Sequence, residues 1–266
     1  MKFSVFTESD LSGLNELQPA DWGDLVPRFQ YFIQSAVCNP VKLSEDDRII
    51  AIGTTMLHND SAWLACVIVH PDFRNKGIGN KITQYLVDKL DKQKYKTVYL
   101  DATDLGYPVY LKIGFEVEAE YSHLRRNTPF TSLPVSGKIV PYSTEYQNSI
   151  YQLDQEISGE DRSAILSDFI SDAYIFLDNS NIQGFYIPDW GDGPIIARND
   201  IAGIELINFR IQHTNIAVLP SANLSAIRKY EQQGFQFYKF SRRMVLGNRK
   251  VWYPERIYNR ISGQLG

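Results

Sequence analysis

The stretch Cys66-Val67-Ile68-Val69-His70-Pro71-Asp72-Phe73-Arg74-Asn75-Lys76-Gly77-Ile78-Gly79 decides how this chain is read. An apolar strand runs into a turn at His70-Pro71-Asp72. Arg-x-x-Gly-x-Gly then opens a helix with Ile78, Ile82, Tyr85, Leu86 and Leu90 on one face. The first turn of a helix carries amides without intrahelical partners and the positive end of the macrodipole, so it suits pyrophosphate oxygens. Gly77 and Gly79 place no Cβ between such a ligand and the backbone, and Arg74 and Lys76 add positive charge at the same rim. A plain tight turn after a strand also uses glycine. The dinucleotide fingerprint is excluded because its third glycine would fall at Ile82, and the Walker loop because no Gly-Lys-Ser/Thr follows.

Upstream, the pattern predicts a strand from Phe3 to Phe6 and a helix capped by Thr7 or Ser9 with Leu11, Leu14 and Leu17 on one face. A second amphipathic helix is expected from about Trp22 to Ile33, with Pro27 in its first turn. Strands follow at Val41 to Leu43, Ile49 to Leu57 and Ala62 to Val69, the last two joined by a turn at His58-Asn59-Asp60-Ser61. Downstream come a strand from Val98 to Ala102, a short helix near Pro108 to Lys112, and a final strand after Gly114-Phe115. Breakers between 127 and 141 (Pro129, Pro134, Gly137, Pro141) divide the chain into a first domain, 1–132, and a second, 138–266.

The loop and the segment Asp101-Ala102-Thr103-Asp104-Leu105-Gly106-Tyr107-Pro108-Val109-Tyr110-Leu111-Lys112-Ile113-Gly114-Phe115 together resemble the GNAT acetyltransferase superfamily. Its signature is an apolar strand, a turn and Arg/Gln-x-x-Gly-x-Gly/Ala, followed by a helical Tyr before Gly-Phe. The resemblance implies an α/β fold: a mixed, mostly antiparallel sheet flanked by helices, splayed after the strand ending at Val69. It implies acetyl-CoA as co-substrate, with Val67, Ile68 and Val69 along the pantetheine arm and Arg74, Asn75, Lys76, Gly77, Ile78 and Gly79 around the pyrophosphate. An amine would attack the thioester directly in a ternary complex. Tyr110 takes the position of the acid that protonates the departing thiolate, and a phenol of pKa ~10 stays protonated at neutral pH. Where some relatives carry a basic Glu, this chain has Trp63, so the base is open among Asp101, Asp104 and Asp60. Trp63 itself is read as core or as an acceptor contact.

A displacement of 120 residues carries Tyr110, Gly114 and Phe115 onto Tyr230, Gly234 and Phe235, so the second half echoes the first. The same displacement carries Gly77 onto Ala197 and Gly79 onto Asn199, and the phosphate loop is gone. The chain therefore reads as two tandem GNAT-like domains with one acetyl-CoA site, the second domain degenerate and helping to form the acceptor site. Asp161 and Arg162 are candidates there, to hold an ammonium and a carboxylate; a surface ion pair or a helix cap at Asp161 is the plainer alternative. The aromatic stretch Phe185 to Trp190 reads as a strand and turn.

The 266 residues, 44% hydrophobic and 22% charged, fit ordinary globular domains. A net charge of −4 points away from nucleic acid, and no apolar run reaches membrane-spanning length. Cys38 and Cys66 make no disulfide framework, and nothing supports Cys66 as a nucleophile. His58, His70, His123 and His213 lack metal-ligand spacing, so no metal is expected. The N-terminus lacks a signal-peptide core, and a cytoplasmic location is expected. The acceptor expected is a small-molecule amine, such as an amino acid or polyamine. A peptide or protein amine is the rival acceptor, and a non-catalytic acyl-CoA sensor the rival function. Oligomeric state is left open.

Overall fold

The computed structural model describes residues 1–19, 22–127 and 133–265. The first half runs β1 (Lys2–Val5), α1 (Leu14–Leu17), α2 (Val26–Gln34), β2 (Cys38–Glu45), β3 (Arg48–Leu57), β4 (Ser61–Val69), α3 (Ile78–Lys89), β5 (Thr97–Ala102), α4 (Tyr107–Ile113) and β6 (Glu116–Arg125). The second runs β7 (Ile139–Pro141), α5 (Gln147–Ser158), α6 (Ser163–Leu166), β8 (Tyr174–Asp178), β9 (Asn181–Tyr186), β10 (Ile195–Ala197), α7 (Asp200–Arg210), β11 (Ile216–Pro220), α8 (Leu224–Gln232), β12 (Gln236–Gly247) and β13 (Ile257–Asn259). The elements expected from periodicity are present. α2 starts later than Trp22, because the Asp24 carboxylate accepts the Val26 amide (2.9 Å) and fixes the first turn there. Of the expected boundary region, residues 128–132 lie outside the described residues, and β7 begins at Ile139.

The strands form two sheets, mostly antiparallel. One has eight strands in the order β1-β2-β3-β4-β5-β12-β6-β11, and the other five in the order β13-β10-β9-β8-β7. The β4–β5 pair is parallel. α3 and α4 cover one face of the large sheet, where Ile78, Ile82 and Leu86 pack with Leu64, Val98 and Leu100. The opposite face packs Phe29 and Phe32 of α2 with Trp63, Tyr99 and a set of second-half residues that includes Leu153, Ile157 and Trp190.

The two halves do not make two separate sheets. β6 and β12 are equivalent strands, displaced by 120 residues at their starts, Glu116 and Gln236, and each lies against the other half. β12 pairs with β5 from Arg242↔Ala102 to Gly247↔Thr97, while β6 pairs with β11 from Ile216↔Arg125 to Pro220↔Tyr121. β6 and β12 also pair with each other.

This exchange buries a cation at the seam. Arg243 of β12 bonds Glu118 at 2.6 Å and Glu160 at 3.3 Å, and its guanidinium lies over the rings of Tyr99, Trp63 and Trp252 at 4.0, 4.8 and 4.3 Å. Glu160, fully buried, also accepts from Ser61 Oγ (2.6 Å) and Trp63 Nε1 (2.9 Å). A charge so placed is tolerated only when every partner is present.

Candidate active site

In the loop before α3 the Arg74 amide bonds the Pro71 carbonyl (3.3 Å), and the amides of Asn75, Lys76 and Gly77 have no partner among the described residues. Asn75 and Gly77 adopt left-handed backbone conformations (φ 61° and 77°), and Gly77 is the N-cap of α3. The turn geometry accounts for Gly77, because φ near +77° disfavours a side chain. It does not account for Gly79, where a Cβ would meet only ordinary contacts, Val109 at 3.6 Å and Val69 at 3.8 Å. Arg74, Asn75, Lys76 and Gly77 are exposed, Arg74 Nε donates to the Val69 carbonyl (3.2 Å), and Lys76 lies over the Phe73 ring (5.0 Å). Cation, free amides and helix dipole converge on one rim, which suits a pyrophosphate.

The sheet opens beside this loop. β4 and β5 pair only through Ser61↔Thr97, Ala62↔Val98 and Trp63↔Tyr99, so the splay begins beyond Trp63, earlier along β4 than its end at Val69. β4 carries a bulge there, with Cys66 at φ 50° and the β3–β4 register shifting between Ile52 and Thr54. Val67 and Val69 are partly exposed on the side of α3 and α4, while Ile68 points into the core beneath α2.

Tyr110 stands at this opening. Burial raises its hydroxyl well above an ordinary phenol, and the nearby Asp101 and Cys66 add to the shift. It remains protonated across the ordinary pH range, and no hydrogen-bond partner occupies it among the described residues. Gly106, whose role sequence reading missed, makes room for it: a Cβ at Gly106 would lie 2.7 Å from the Tyr110 ring and 3.2 Å from its oxygen.

The three candidate carboxylates separate cleanly. Asp104 is exposed and paired with Arg242 (2.6 Å), and Asp60 is exposed and paired with Lys250. Asp101 is buried in the opening. Its Oδ2 is held by Arg260 of the second half and by Ser241 Oγ (2.9 Å), while its Oδ1 is buried without a partner. The hydroxyls of Tyr99 and Tyr121, on the neighbouring strands, are likewise buried and unpartnered. Register puts these groups on one face, since Asp101 sits opposite Arg243 and Tyr121 opposite Ser241.

The remaining candidates lie elsewhere. Trp63 is fully buried, packed on Tyr99 (5.3 Å) and bonded to Glu160, and does not line the opening. Arg162 is buried in a fork with Asp154 (Nε 2.9 Å, Nη2 2.5 Å) and donates to the Leu265 carbonyl, so its donors are engaged within the second half. Asp161, two residues before α6, accepts from the Ser163 amide (3.2 Å) and hydroxyl (2.6 Å), while Arg162 is the N-cap. Burial pushes the Cys66 thiol up to about 11, against the pull of the facing Arg28 guanidinium, so it is not a ready nucleophile. Arg28 itself, half-buried on α2, forms no ion pair among the described residues. Among them too, no group of three or more His, Cys, Asp or Glu is placed to hold a metal, and no helix is long and apolar enough to cross a membrane.

The corresponding place in the second half is filled. α7 matches α3, and its N-cap is Asn199, so Gly77 corresponds to Asn199 and not to Ala197, which ends β10 inside the core. The stretch from helix start to tyrosine is two residues shorter in the second half (Asp200 to Tyr230 against Ile78 to Tyr110), which moves the match from Ala197 to Asn199. Asn199 Oδ1 accepts the Ala202 amide (3.0 Å), Asp200 follows it, and Tyr258 of β13 donates to Asp200 Oδ1 (2.5 Å). β13 pairs with β10 and bridges toward β11, with Asn259 Oδ1 accepting the Val218 amide (2.9 Å). Tyr230, equivalent to Tyr110, donates to the Tyr258 carbonyl (3.3 Å).

Both halves match models described as acetyltransferase (GNAT) domains, over residues 30–132 and 150–258, and the chain belongs to this family as a tandem of two such domains. It is an acyltransferase of that family, and the family uses acetyl-CoA. A Pyrococcus horikoshii protein assigned as an acetyltransferase has the same fold throughout, with a TM-score of 0.82 at 18% identity over 100% of this chain and 95% of that one. A GCN5-related N-acetyltransferase from Sphaerobacter thermophilus gives 0.62 at 14% identity over 95% and 98%. A curated relative, the [ribosomal protein bS18]-alanine N-acetyltransferase of Salmonella typhimurium, is 31% identical over 78 residues, which is 28% of this chain and 53% of the relative. The Escherichia coli K12 enzyme of the same name is 26% identical over 77 residues, 28% and 52%. The chain thus spans about half the length of the curated relatives it matches.

Proposed function

We propose that the first half transfers the acetyl group of acetyl-CoA to the amine of a small molecule. The pyrophosphate is held by the Arg74 to Gly79 loop and the pantetheine arm lies along Val67 to Val69. Asp101 takes a proton from the acceptor ammonium, the freed amine attacks the thioester carbon, and a C–N bond forms as the C–S bond breaks. Tyr110 gives its proton to the leaving thiolate and recovers, through solvent, the second proton that the nitrogen sheds as the amide forms. The observation that carries this reading is a pair of groups near the β4–β5 opening: a protonated Tyr110 with no hydrogen-bond partner among the described residues, and an Asp101 whose Oδ1 is buried and unengaged among them.

Two further features favour a small acceptor. Asp101 sits under the buried C-terminal segment, with Gly263 so close that a Cβ there would lie 3.0 Å from Oδ2. Arg28, beside Cys66 and without an ion pair among the described residues, suits an acceptor that carries a carboxylate and disfavours a polyamine. A second reading, transfer to the α-amine of a peptide, is favoured by the names of the curated relatives, which act on an alanine of ribosomal protein bS18. CoA-thiol release is measured with free amino acids, spermidine and an alanine-initiated peptide. Release with an amino acid supports the first reading, and release with the peptide alone the second. Calorimetric acetyl-CoA binding without release from any of them points to a sensor.

A further inference from the structure

The C-terminal segment does two things at once. Ile257–Asn259 form β13, seated in the second half's own cleft, with Tyr258 over Gly203 of α7 so tightly that a Cβ on Gly203 would fall 2.2 Å from the ring. Asn259 ties that strand on both sides, through the Val218 amide and through the Asp192 and Gly193 carbonyls (2.6 and 2.9 Å). The next residue, Arg260, leaves the second half's cleft and reaches the first half's. Its backbone amide is pinned by the Val218 carbonyl (2.8 Å), and its Nη1 bonds Asp101 while its Nε bonds Asp192 (3.0 Å). Its guanidinium lies over the Tyr121 ring at 5.0 Å and is buried. Ser241 of the exchanged strand completes the hold on Asp101 Oδ2 and is itself bonded to His123 Nε2 (2.8 Å).

We propose that Arg260 is a positioning residue for acetyl transfer, delivered to Asp101 by a strand anchored in the degenerate cleft. This rests on Asp101 as the proton acceptor. With Oδ2 clamped by a guanidinium and a hydroxyl, the carboxylate has one orientation and offers only Oδ1 to the amine. The second half has lost its own ligand loop and serves the first by supplying this clamp. The other charged and titratable groups around Asp101 are Asp192 across Arg260, Arg243 on β12, Tyr121 on β6, Tyr110 on α4 and, through Ser241, His123.

The test compares the full chain with its Arg260→Gln, Arg260→Lys, Asp192→Asn and Asp101→Asn variants. CoA release is followed from pH 5.5 to 9 with alanine and the alanine-initiated peptide as acceptors, beside calorimetric acetyl-CoA affinity. Arg260→Gln is expected to lower kcat at least tenfold, leave acetyl-CoA affinity within twofold, and move the acidic limb of kcat/KM to higher pH. Lys at 260 is expected to restore part of the rate. Asp192→Asn, which frees Arg260 for Asp101 alone, moves that limb the opposite way without loss of folding at 260. An unmoved limb in both variants, with Asp101→Asn inactive, overturns the role of Arg260 and leaves the base standing. An Asp101→Asn variant as active as the parent overturns both.

Discussion

The starts of α3 and α7 occupy equivalent places and have opposite chemistry. Before α3, Gly77 carries no side chain, the loop is exposed, and Arg74 and Lys76 stand beside unclaimed amides. Before α7, Asn199 spends its side chain on the Ala202 amide, Asp200 adds a negative charge, and Tyr258 closes the space above. An anion would be welcomed at the first and repelled at the second. The same contrast runs through the paired tyrosines: Tyr110 has a free hydroxyl beside Asp101, whereas Tyr230 is bonded to the backbone of β13. A duplicated fold thus keeps its packing residues in both copies and an open, cationic helix start in one.

The sharpest way to break this comparison is at the two tyrosines. Tyr110→Phe is expected to lower kcat about 10²- to 10⁴-fold with acetyl-CoA affinity unchanged, while Tyr230→Phe leaves turnover as it was. Equal effects on CoA release would end the assignment of one site. The second cleft is probed by Tyr258→Ala, which removes a fully buried ring and is expected to cost about 3–5 kcal/mol in denaturant unfolding. Calorimetry should still count one acetyl-CoA per chain, because Asn199 and Asp200 remain; a second equivalent would show that β13 alone keeps the ligand out.

At the first cleft, Gly77→Asp brings in the charge that α7 already has. Acetyl-CoA binding is expected to weaken at least tenfold. The left-handed φ of this residue costs roughly 1–2 kcal/mol of stability, and no neighbour stands within 4 Å to clash.

The seam between the halves gives a pH dependence. Burial holds His58 down to about 4 and His123 down to about 3, with Arg162 adding at the first and Arg260 and Lys239 at the second. Unfolded histidine titrates near ~6.5, so below that pH the unfolded chain binds protons the folded chain refuses. Stability is therefore complete above about pH 6.5 and falls as pH drops, by up to about 1.4 kcal/mol per unit for each histidine. Chemical denaturation between pH 7.5 and 5 checks this, and His58→Gln should halve the slope.

The sequence by itself determined the helix opening at Gly77, the strand before it, the Tyr110 motif with its echo at Tyr230, and the loss of the second loop. Each is a local pattern: glycine marks a left-handed turn, periodicity marks a buried face, and a repeat shows as a displacement. The match of Gly77 to Ala197 slipped by two residues because a constant displacement cannot register the two-residue shortening between Asp200 and Tyr230, whereas helix caps can. Only the tertiary structure decided which carboxylate is buried with an unengaged oxygen, since Asp101, Asp104 and Asp60 differ in burial and partners rather than in kind. Only it exchanged β6 with β12, drew Arg162 into Asp154, closed the second cleft with Tyr258 and carried Arg260 across to Asp101. Those pairings join residues up to 159 positions apart, and no spacing along the chain encodes which distant side chain will meet a buried charge.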